Sequence, residues 1–340
     1  MYDLPDTDAD TSDVDTDVTA DTEADSEVDT EADTEPPPEP IRFVAIGDAG
    51  DNPVHQTAVA AAVEQTCATR GCQFALYLGD NFYDTGLEAY DDTRWQTNFE
   101  LPYANLDFPF YAVLGNHDLG GGGLGLDFDL EKAQYQVDYT QVSDKWTMPS
   151  TYYTIPGPSG SSSTELTIFG LDTTRMFFGN VLGNLSTQED WLRSELVNSD
   201  SYWRIGFGHH PYVSNGQHGN AGAYEGITDI VPFSEIPRGQ HVKDLFDDVG
   251  CGAFDVYFAG HDHNRQILPE PEGCDTFFVV SGAGAKYTDF HESALRPHND
   301  VLFEDDGERG FVWVELQGDV MTLYVVDEDG DEHGPYLHYR

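Results

Sequence analysis

The sequence is poor in basic residues. Only 15 of its 340 residues are Lys or Arg, against 63 Asp or Glu, and the formal net charge is -48. Because nucleic acid and anionic lipid both attract basic protein surfaces, this charge disfavours them as partners. A carboxylate-rich exterior suits a salt-rich habitat, and a generally acidic secreted protein is an equally good interpretation. We also expect no membrane-spanning segment and no signal peptide, since no suitable apolar run is present.

Cysteine is scarce as well. The sequence has 4 cysteines, an even number, and none lies in a zinc-type CxxC spacing. This pattern indicates disulfides and an oxidising compartment, so we expect a secreted, periplasmic or cell-surface protein. The economical pairs are Cys67 with Cys72 and Cys251 with Cys274, because each would join loops that flank one structural unit. Four buried free thiols are the alternative.

The first 40 residues differ in composition from the rest. They contain 16 Asp or Glu and no Lys or Arg. Such a segment buries too little apolar surface to offset the entropy of ordering it, so we expect residues 1–40 to be a disordered acidic tail or linker. A lipid or wall anchor upstream of this tail would explain it as a stalk. Residues 41–340 carry enough apolar residues for one large core, and we expect one folded domain and a monomer.

Apolar runs alternate with helical patterns in the first half of the folded part. Runs at 41–47, 74–78 and 110–114 predict buried strands, and the stretches 51–65 and 90–100 predict helices between them. This β-α-β-α-β order implies a parallel sheet with helices outside it. Ligands of such sheets gather beyond the carboxyl ends of the strands.

The second half changes pattern. A helix is predicted at 188–197, and the strands at 277–280, 311–315 and 321–326, with Gly-Asp turns between them, predict an antiparallel meander. The predicted strands lie at 152–155, 166–171, 203–207, 254–258, 277–280, 311–315 and 321–326. We therefore expect an α/β fold in which two sheets face each other, with helices on both outer surfaces.

Five short motifs stand where predicted strands end. Between them they supply Asp, Tyr, Asn and His side chains, a mixture of hard oxygen donors and imidazoles that suits two adjacent first-row metal ions. This chemistry points to a dinuclear hydrolase. The motifs are Gly47-Asp48-Ala49-Gly50-Asp51, Gly79-Asp80-Asn81-Phe82-Tyr83, Gly115-Asn116-His117-Asp118, Gly208-His209-His210-Pro211 and Gly260-His261-Asp262-His263.

The order and spacing of these motifs resemble the calcineurin-like metallophosphoesterases. Tyr83, three residues after Asp80, is similar to the ferric-iron ligand of the purple acid phosphatases, specifically the tartrate-resistant type. The resemblance runs from about residue 41 to the C-terminus. It continues in residues 145–150, in residues 281–284 and in the nine-residue step from His209 to His218. The fold that it implies is the αββα four-layer sandwich.

The resemblance also implies a ligand set for two metal ions. Asp80 would bridge the ions. Asp48, Tyr83 and His263 would hold the first ion, ferric iron, and Asn116, His209 and His261 would hold the second, a divalent iron, zinc or manganese ion. The donor chemistry agrees, because phenolate and carboxylates suit a trivalent ion, whereas an amide and two imidazoles suit a divalent one.

The remaining residues of the motifs have expected roles too. By resemblance, His117 and His218 would hydrogen-bond the substrate and protonate the leaving oxygen. His210 stands where the tartrate-resistant type usually has an aromatic residue, and we expect it in the pocket wall. Asp118 and Asp262 would each orient an imidazole.

The implied activity is that of an acid phosphatase, a phosphoric monoester hydrolase that attacks small phosphorylated substrates with a metal-bound hydroxide. A phosphodiesterase or nucleotidase on the same scaffold is one alternative, and a non-catalytic metal-binding surface protein is another. Each ligand taken alone also has an ordinary interpretation. Asp48 could cap a helix, Asp80 could form an Asx turn, and Tyr83 could be a core residue.

Overall fold

The computed structural model describes most of the chain beyond the acidic tail. The described residues are 39–51, 53–120, 128–178, 186–224, 239–290 and 298–340. Residues 38–340 form one compact unit. The predicted tail, up to residue 38, lies outside the described residues.

The first sheet carries the strands of the first three motifs. Its strand order is β14-β13-β12-β1-β2-β3-β4, with parallel pairing from β1 to β4 and antiparallel pairing from β1 through β12 and β13 to β14. The predicted meander is confirmed for β12 and β13, and β14 extends it. Its predicted first strand, 277–280, is wrong as a member, because it lies in the second sheet and pairs in parallel with β8. The strands are β1 (Ile41–Ile46), β2 (Phe74–Tyr77), β3 (Phe110–Ala112), β4 (Trp146–Thr147), β12 (Gly310–Gln317), β13 (Val320–Asp327) and β14 (Glu332–Tyr339).

The second sheet carries the strands of the two histidine motifs. Its order is β11-β9-β10-β8-β7-β6-β5, and β6, β7, β8 and β10 pair in parallel. Strands β5, β9 and β11 pair antiparallel at its edges. The strands are β5 (Tyr153–Pro156), β6 (Leu166–Gly170), β7 (Trp203–Phe207), β8 (Val256–Ala259), β9 (Arg265–Leu268), β10 (Phe277–Ser281) and β11 (Phe303–Asp305).

The helices lie outside the sheets. Helix α1 packs on β12 and β13 of the first sheet, while side chains of α3 and α5 share an apolar cluster with the second. No helix within the described residues is long and apolar enough to cross a membrane. The helices are α1 (Pro53–Arg70), α2 (Leu130–Tyr139), α3 (Thr173–Phe178), α4 (Ser186–Asn198) and α5 (Gln240–Leu245), with π-helical segments at Gln96–Glu100 and Phe246–Gly250.

The main core fills the space between the two sheets. Phe43 on β1 and Phe258 on β8 meet edge to face, with ring centroids 5.6 Å apart, and both are fully buried. Side chains alternate along β6, because Ile168 belongs to this core and Phe169 belongs to the cluster beneath the helices. The predicted sandwich of two sheets between outer helices is therefore confirmed.

One predicted helix is shorter than expected. The stretch 90–100 was predicted to be helical throughout, but residues 90–93 form turns and regular helical structure begins at Arg94. The Asp92 carboxylate accepts hydrogen bonds from the backbone N–H groups of Glu88 and Arg94, both at 2.9 Å. Such local side-chain bonds compete with the helix ladder, which explains the late start.

Candidate metal centre

The carboxyl ends of the parallel strands of both sheets meet in one place. The N–H of Gly47, at the end of β1, donates to the carbonyl of Ser281, at the end of β10 in the other sheet, at 2.8 Å. A Cβ atom on Gly47 would lie 2.9 Å from Leu78 Cβ and 3.2 Å from Gly260 Cα. Only glycine lets the two sheets approach this closely, and the five motifs consequently converge.

Three of the predicted ligands have an unusual backbone. Asp48, Asp80 and His261 have φ angles of 57°, 51° and 69°, in the left-handed region. Such a conformation costs roughly 1–3 kcal/mol for a residue other than glycine, and it persists only where the surroundings enforce it. Here the N–H of Asp48 donates to the Gly79 carbonyl at 3.0 Å, and the N–H of His261 donates to Asp48 Oδ2 at 2.8 Å. The strain is concentrated on predicted ligands, as is typical of functional sites.

The first predicted group of ligands converges on the Tyr83 hydroxyl. Its Oη lies 2.6 Å from Asp80 Oδ2, 2.9 Å from Asp48 Oδ1 and 3.2 Å from His263 Nε2. Ligand atoms of Asp48, Asp80 and His263 all lie within 4.8 Å of one another. Three oxygen donors and one imidazole therefore surround a common point.

The second predicted group lies beside the first. Nε2 of His209 is 2.9 Å from Asn116 Oδ1 and 3.2 Å from His261 Nδ1. The opposite nitrogen of the His209 ring, Nδ1, donates to the Leu78 carbonyl at 2.9 Å, which orients the ring and directs Nε2 into the site. This arrangement presents one amide oxygen and two imidazole nitrogens together.

Asp80 joins the two groups. Its Oδ2 faces Tyr83, whereas its Oδ1 lies 3.6 Å from His209 Nε2. The backbone N–H of His117 also donates to Oδ1, at 2.9 Å. The two oxygens of one carboxylate thus face different donor groups, as a bridging ligand requires.

Without metal ions, burial has a large effect on the pKa values of several of these groups. Burial raises the pKa of the Asp48 carboxyl to about 7. Burial, together with the charges of Asp48 and Asp80, raises the pKa of Tyr83 well above its usual value. Burial opposes ionisation of Asp80 too, but His209 and His117 outweigh it, and the pKa of that carboxyl lies below its usual range. Burial also lowers the pKa of His263 to about 3, so this imidazole is neutral.

These protonation states fit a site for metal ions. Neutral imidazoles are the ligand form of histidine, and a cation next to Tyr83 and Asp48 would favour their deprotonated forms. Buried carboxyl, phenol and imidazole groups in such close contact are costly without a compensating charge. The donor set therefore fits two metal ions, one at each group.

Two buried carboxylates fix the loops that carry the ligands. Asp118 accepts hydrogen bonds from the backbone N–H groups of Gly115 at 2.8 Å and of Asn81 and Phe82 at 3.0 Å. Asp262 accepts one from the His218 N–H at 2.7 Å. The expectation that both orient imidazoles is wrong, because each carboxylate instead accepts backbone N–H groups that are turned towards it.

A family model described as calcineurin-like phosphoesterase matches residues 41–265. The chain belongs to this family.

Curated relatives indicate which group of proteins within this family the chain resembles. Tartrate-resistant acid phosphatase type 5 of Mus musculus is 30% identical over 320 residues, which cover 85% of this chain and 88% of that protein. The Homo sapiens protein of the same name is 29% identical over 317 residues, with the same coverage of 85% and 88%. Purple acid phosphatase 4 of Arabidopsis thaliana is 26% identical over 310 residues, covering 86% and 81%. The predicted resemblance to purple acid phosphatases is confirmed.

Solved structures agree on the fold. GAP50, described as the anchor in the inner membrane complex of Plasmodium, superposes with a TM-score of 0.64 at 20% identity, covering 88% of each chain. The purple acid phosphatase PPD1 from yellow lupin (Lupinus luteus) seeds gives 0.60 at 16% identity, covering 89% of this chain and 54% of that one. At such identities the similarity establishes the fold alone.

The two other predicted histidines, His117 and His218, lie beside predicted metal ligands of this phosphoesterase. The His117 ring lies 4.4 Å from the Tyr83 ring, and its Nδ1 donates to the Asp84 carbonyl at 2.8 Å. The His218 ring stacks on the His261 ring at 4.1 Å and lies 6.2 Å from the His263 ring. Each therefore contacts a different predicted ligand, Tyr83 for His117 and His261 for His218.

His210 lies next to two predicted metal ligands, His209 and His261. It is fully buried, its ring stacks on Phe177 at 4.7 Å, and its ligand atom lies within 4.8 Å of those of His209 and His261. Its Nε2 has no hydrogen-bond partner among the residues that the structure describes. Burial, the largest cause, lowers its pKa well below the usual value.

Two contributing residues were not predicted from the sequence. Thr173 Oγ1 accepts hydrogen bonds from the N–H groups of His209 at 3.1 Å and His210 at 3.0 Å. Lys286 places its ammonium 3.5 Å from the centre of the Tyr83 ring. The Asp172-Thr173-Thr174 sequence at the end of β6 was a usable signal for the first, since such residues bond nearby backbone groups. No local pattern singles out the lysine.

Proposed function

We propose that this chain is a dinuclear metal-dependent phosphomonoesterase, an acid phosphatase of the purple type. The observation that carries the proposal is the convergence of Asp48, Asp80 and His263 on the Tyr83 hydroxyl, within 3.2 Å. The curated relatives are named as acid phosphatases over nearly the whole folded part of the chain. Because one fold hosts many functions, these side chains carry the proposal and the fold does not.

The proposed ligands divide into two sets that share Asp80. Asp48, Tyr83 and His263 hold the first ion, and Asn116, His209 and His261 hold the second. Support comes from the two oxygens of Asp80, one near Tyr83 and the other near His209.

We further propose ferric iron at the Tyr83 site and a divalent iron, zinc or manganese ion at the other. The first set offers three anionic oxygens, which favour a trivalent ion. The second set offers an amide and two imidazoles, which favour a divalent one.

Two metal ions held by these donors would lower the pKa of a water molecule and neutralise charge on the transferring phosphoryl group. The chain itself supplies proton transfer and positioning. The Nδ1–H of His117 is engaged by the Asp84 carbonyl, so Nε2 is the atom that exchanges a proton with the substrate. A positioned imidazole is a common proton donor and acceptor in catalysis.

His218 has the complementary position. Its backbone N–H is held by Asp262, whose other carboxylate oxygen accepts a hydrogen bond from the Ser214 hydroxyl at 2.5 Å. These bonds fix the loop that carries His218, whose ring stacks on that of His261. We assign it to hydrogen bonding of the phosphate or protonation of the leaving oxygen, together with His117.

The alternatives separate in one assay. Hydrolysis of p-nitrophenyl phosphate that is much faster than hydrolysis of bis-p-nitrophenyl phosphate supports the phosphomonoesterase, and the reverse ratio indicates the phosphodiesterase or nucleotidase. A protein that binds metal but hydrolyses neither is the non-catalytic surface protein. The matched variants are Asp80→Asn, which should abolish turnover, and Asp138→Asn, an exposed aspartate of α2 that should leave it unchanged.

We propose a location outside the cytosol. The structure contains the disulfides Cys67–Cys72 and Cys251–Cys274, the two pairs predicted from the sequence. Disulfides of this structural kind persist in oxidising compartments. Intact disulfides in protein isolated from culture medium or cell surface would support this location, and a reduced cytosolic protein would contradict it.

A further inference from the structure

The loop after β10 is bound to the ends of the ligand-bearing segments. The N–H of Gly284 donates to the Gly47 carbonyl at 3.0 Å, directly before Asp48, and the N–H of Thr288 donates to the His263 carbonyl at 2.9 Å. A Cβ atom on Gly284 would lie 2.5 Å from the Gly47 oxygen. The loop therefore has a fixed position against both segments, and so does Lys286 between these two anchors.

Lys286 extends over the predicted metal ligand Tyr83. Its Nζ lies 3.5 Å from the centre of the ring, within the range of a cation–π contact. The nearest carboxylate is that of Asp51, with Oδ2 at 3.6 Å from Nζ. This distance exceeds a hydrogen bond, and no residue that the structure describes accepts one from Nζ. The donors of the ammonium group remain available to a ligand.

The ammonium stays in contact with solvent and with the site. The Lys286 side chain is 25% exposed. An approaching phosphate ester meets a strongly acidic molecule, with a net charge of -48. A cation at the pocket contributes most to substrate binding where the surrounding charge repels the substrate.

We propose that Lys286 is a substrate-binding residue, whose ammonium contacts the non-bridging oxygens of a phosphate group that rests on the ligands of the metal site. This inference rests on the proposed function for the nature of the substrate. The cation–π contact with Tyr83 and the ion pair with Asp51 hold the side chain in place before the substrate arrives. Phosphate oxygens accept charge-assisted hydrogen bonds from ammonium groups, which are stronger than bonds between neutral groups.

The test measures phosphate affinity in metal-loaded protein. Titration calorimetry follows the binding of inorganic phosphate to wild type, Lys286→Met and Lys286→Arg. The control is Lys243→Met, because Lys243 lies on α5 and pairs with Asp247. We expect Lys286→Met to raise the Kd of phosphate about tenfold, as the loss of one charge-assisted bond implies. Lys286→Arg should restore most of the affinity, and Lys243→Met should match wild type.

Kinetics and metal content complete the test. For p-nitrophenyl phosphate, Lys286→Met should raise KM about as much as it raises the phosphate Kd, with kcat changed about threefold at most and metal content unchanged. An unchanged phosphate Kd would overturn the inference. So would a weaker Kd that accompanies loss of metal, because Lys286 would then only support Tyr83. If wild type binds phosphate through Lys286 but does not hydrolyse the ester, the proposed function fails and this inference holds.

Discussion

A methyl group added at Gly115 should disable the site while the fold survives. Gly115 precedes Asn116 in the third motif, and its φ is not in the left-handed region, so alanine can adopt this backbone. The added Cβ atom, however, would lie 2.1 Å from Asp80 Oδ1 and 2.2 Å from the Asp80 backbone nitrogen. The substitution therefore displaces both the backbone and the carboxylate of Asp80, the proposed bridging residue.

The size of the effect follows from this overlap. Ordinary van der Waals contact begins at 3.4 Å, so the Asp80 oxygen must move by about 1.3 Å. That movement disturbs the bonds to the Tyr83 hydroxyl at 2.6 Å and to the His117 N–H at 2.9 Å. Overpacking and a lost buried hydrogen bond together cost about 2–5 kcal/mol of unfolding free energy. A misplacement of about 1 Å lowers turnover roughly a hundredfold.

The assay combines turnover, metal content and thermal unfolding. Gly307→Ala is the matched control, because a Cβ atom there would meet only Asp305 Oδ2, at 3.9 Å. Gly115→Ala should hydrolyse p-nitrophenyl phosphate at about one hundredth of the wild-type rate and retain less metal. A Gly115→Ala protein with wild-type turnover and metal content would refute the geometry of the bridging carboxylate.

Further predictions concern the ligands and the flanking histidines. Tyr83→Phe keeps the ring, so the fold and partial activity should persist, but the visible absorption expected of a phenolate on ferric iron should vanish from the spectrum; a variant that stays coloured would count against the ligand role. His117→Ala and His218→Ala should each lower kcat about a hundredfold with metal content intact, and loss of a metal equivalent would place either among the ligands. In metal-free protein, the Asp48 pKa is raised from 3.8 to about 7, so the stability that this carboxyl contributes at low pH is lost as pH rises through 7. The free energy of unfolding of metal-free Asp48→Asn, measured in urea, should therefore rise relative to that of wild type as the pH goes from mildly acid to mildly alkaline. A difference between the two proteins that does not depend on pH would contradict the raised pKa.

The strands that position the site were predictable because they are buried on both faces. The four residues of β2, Phe-Ala-Leu-Tyr, are all buried, so the apolar run in the sequence marks the strand directly. The polar motif begins where the run stops, and parallel strands bring such endings to one edge. The strand pattern therefore predicted that the motifs meet at one edge, whereas the division of their residues into two donor groups came from the resemblance to the purple acid phosphatases.

Other strands were missed because their composition contradicts their position. Strand β9 was not predicted, since it begins with Arg265 and Gln266, two polar residues that are fully buried. The Arg265 guanidinium is accommodated by an ion pair with Asp305 of the neighbouring strand β11. Strand β14 contains Gly334 and Pro335 and is largely exposed, which is tolerated at a sheet edge.

Some residues of the site could not be predicted from the sequence, because contacts between distant segments bring them there. Lys286 reaches Tyr83 only because the loop after β10 bonds to the end of β1 in the other sheet. The position of His210 close to His209 and His261 likewise depends on α3, where Thr173 and Phe177 contact it. The left-handed backbone of Asp48 and Asp80 has no marker in a sequence, because neither is glycine.

Metal reconstitution would show whether turnover depends on two bound ions. Protein freed of metal with a chelator is titrated with ferric iron and then with a divalent ion, while phosphate release from p-nitrophenyl phosphate is followed. The account predicts no turnover in the metal-free protein and full turnover at two metal equivalents per chain, with Asp80→Asn inactive throughout. Full turnover by metal-free protein, or saturation at one equivalent, would contradict a dinuclear phosphomonoesterase.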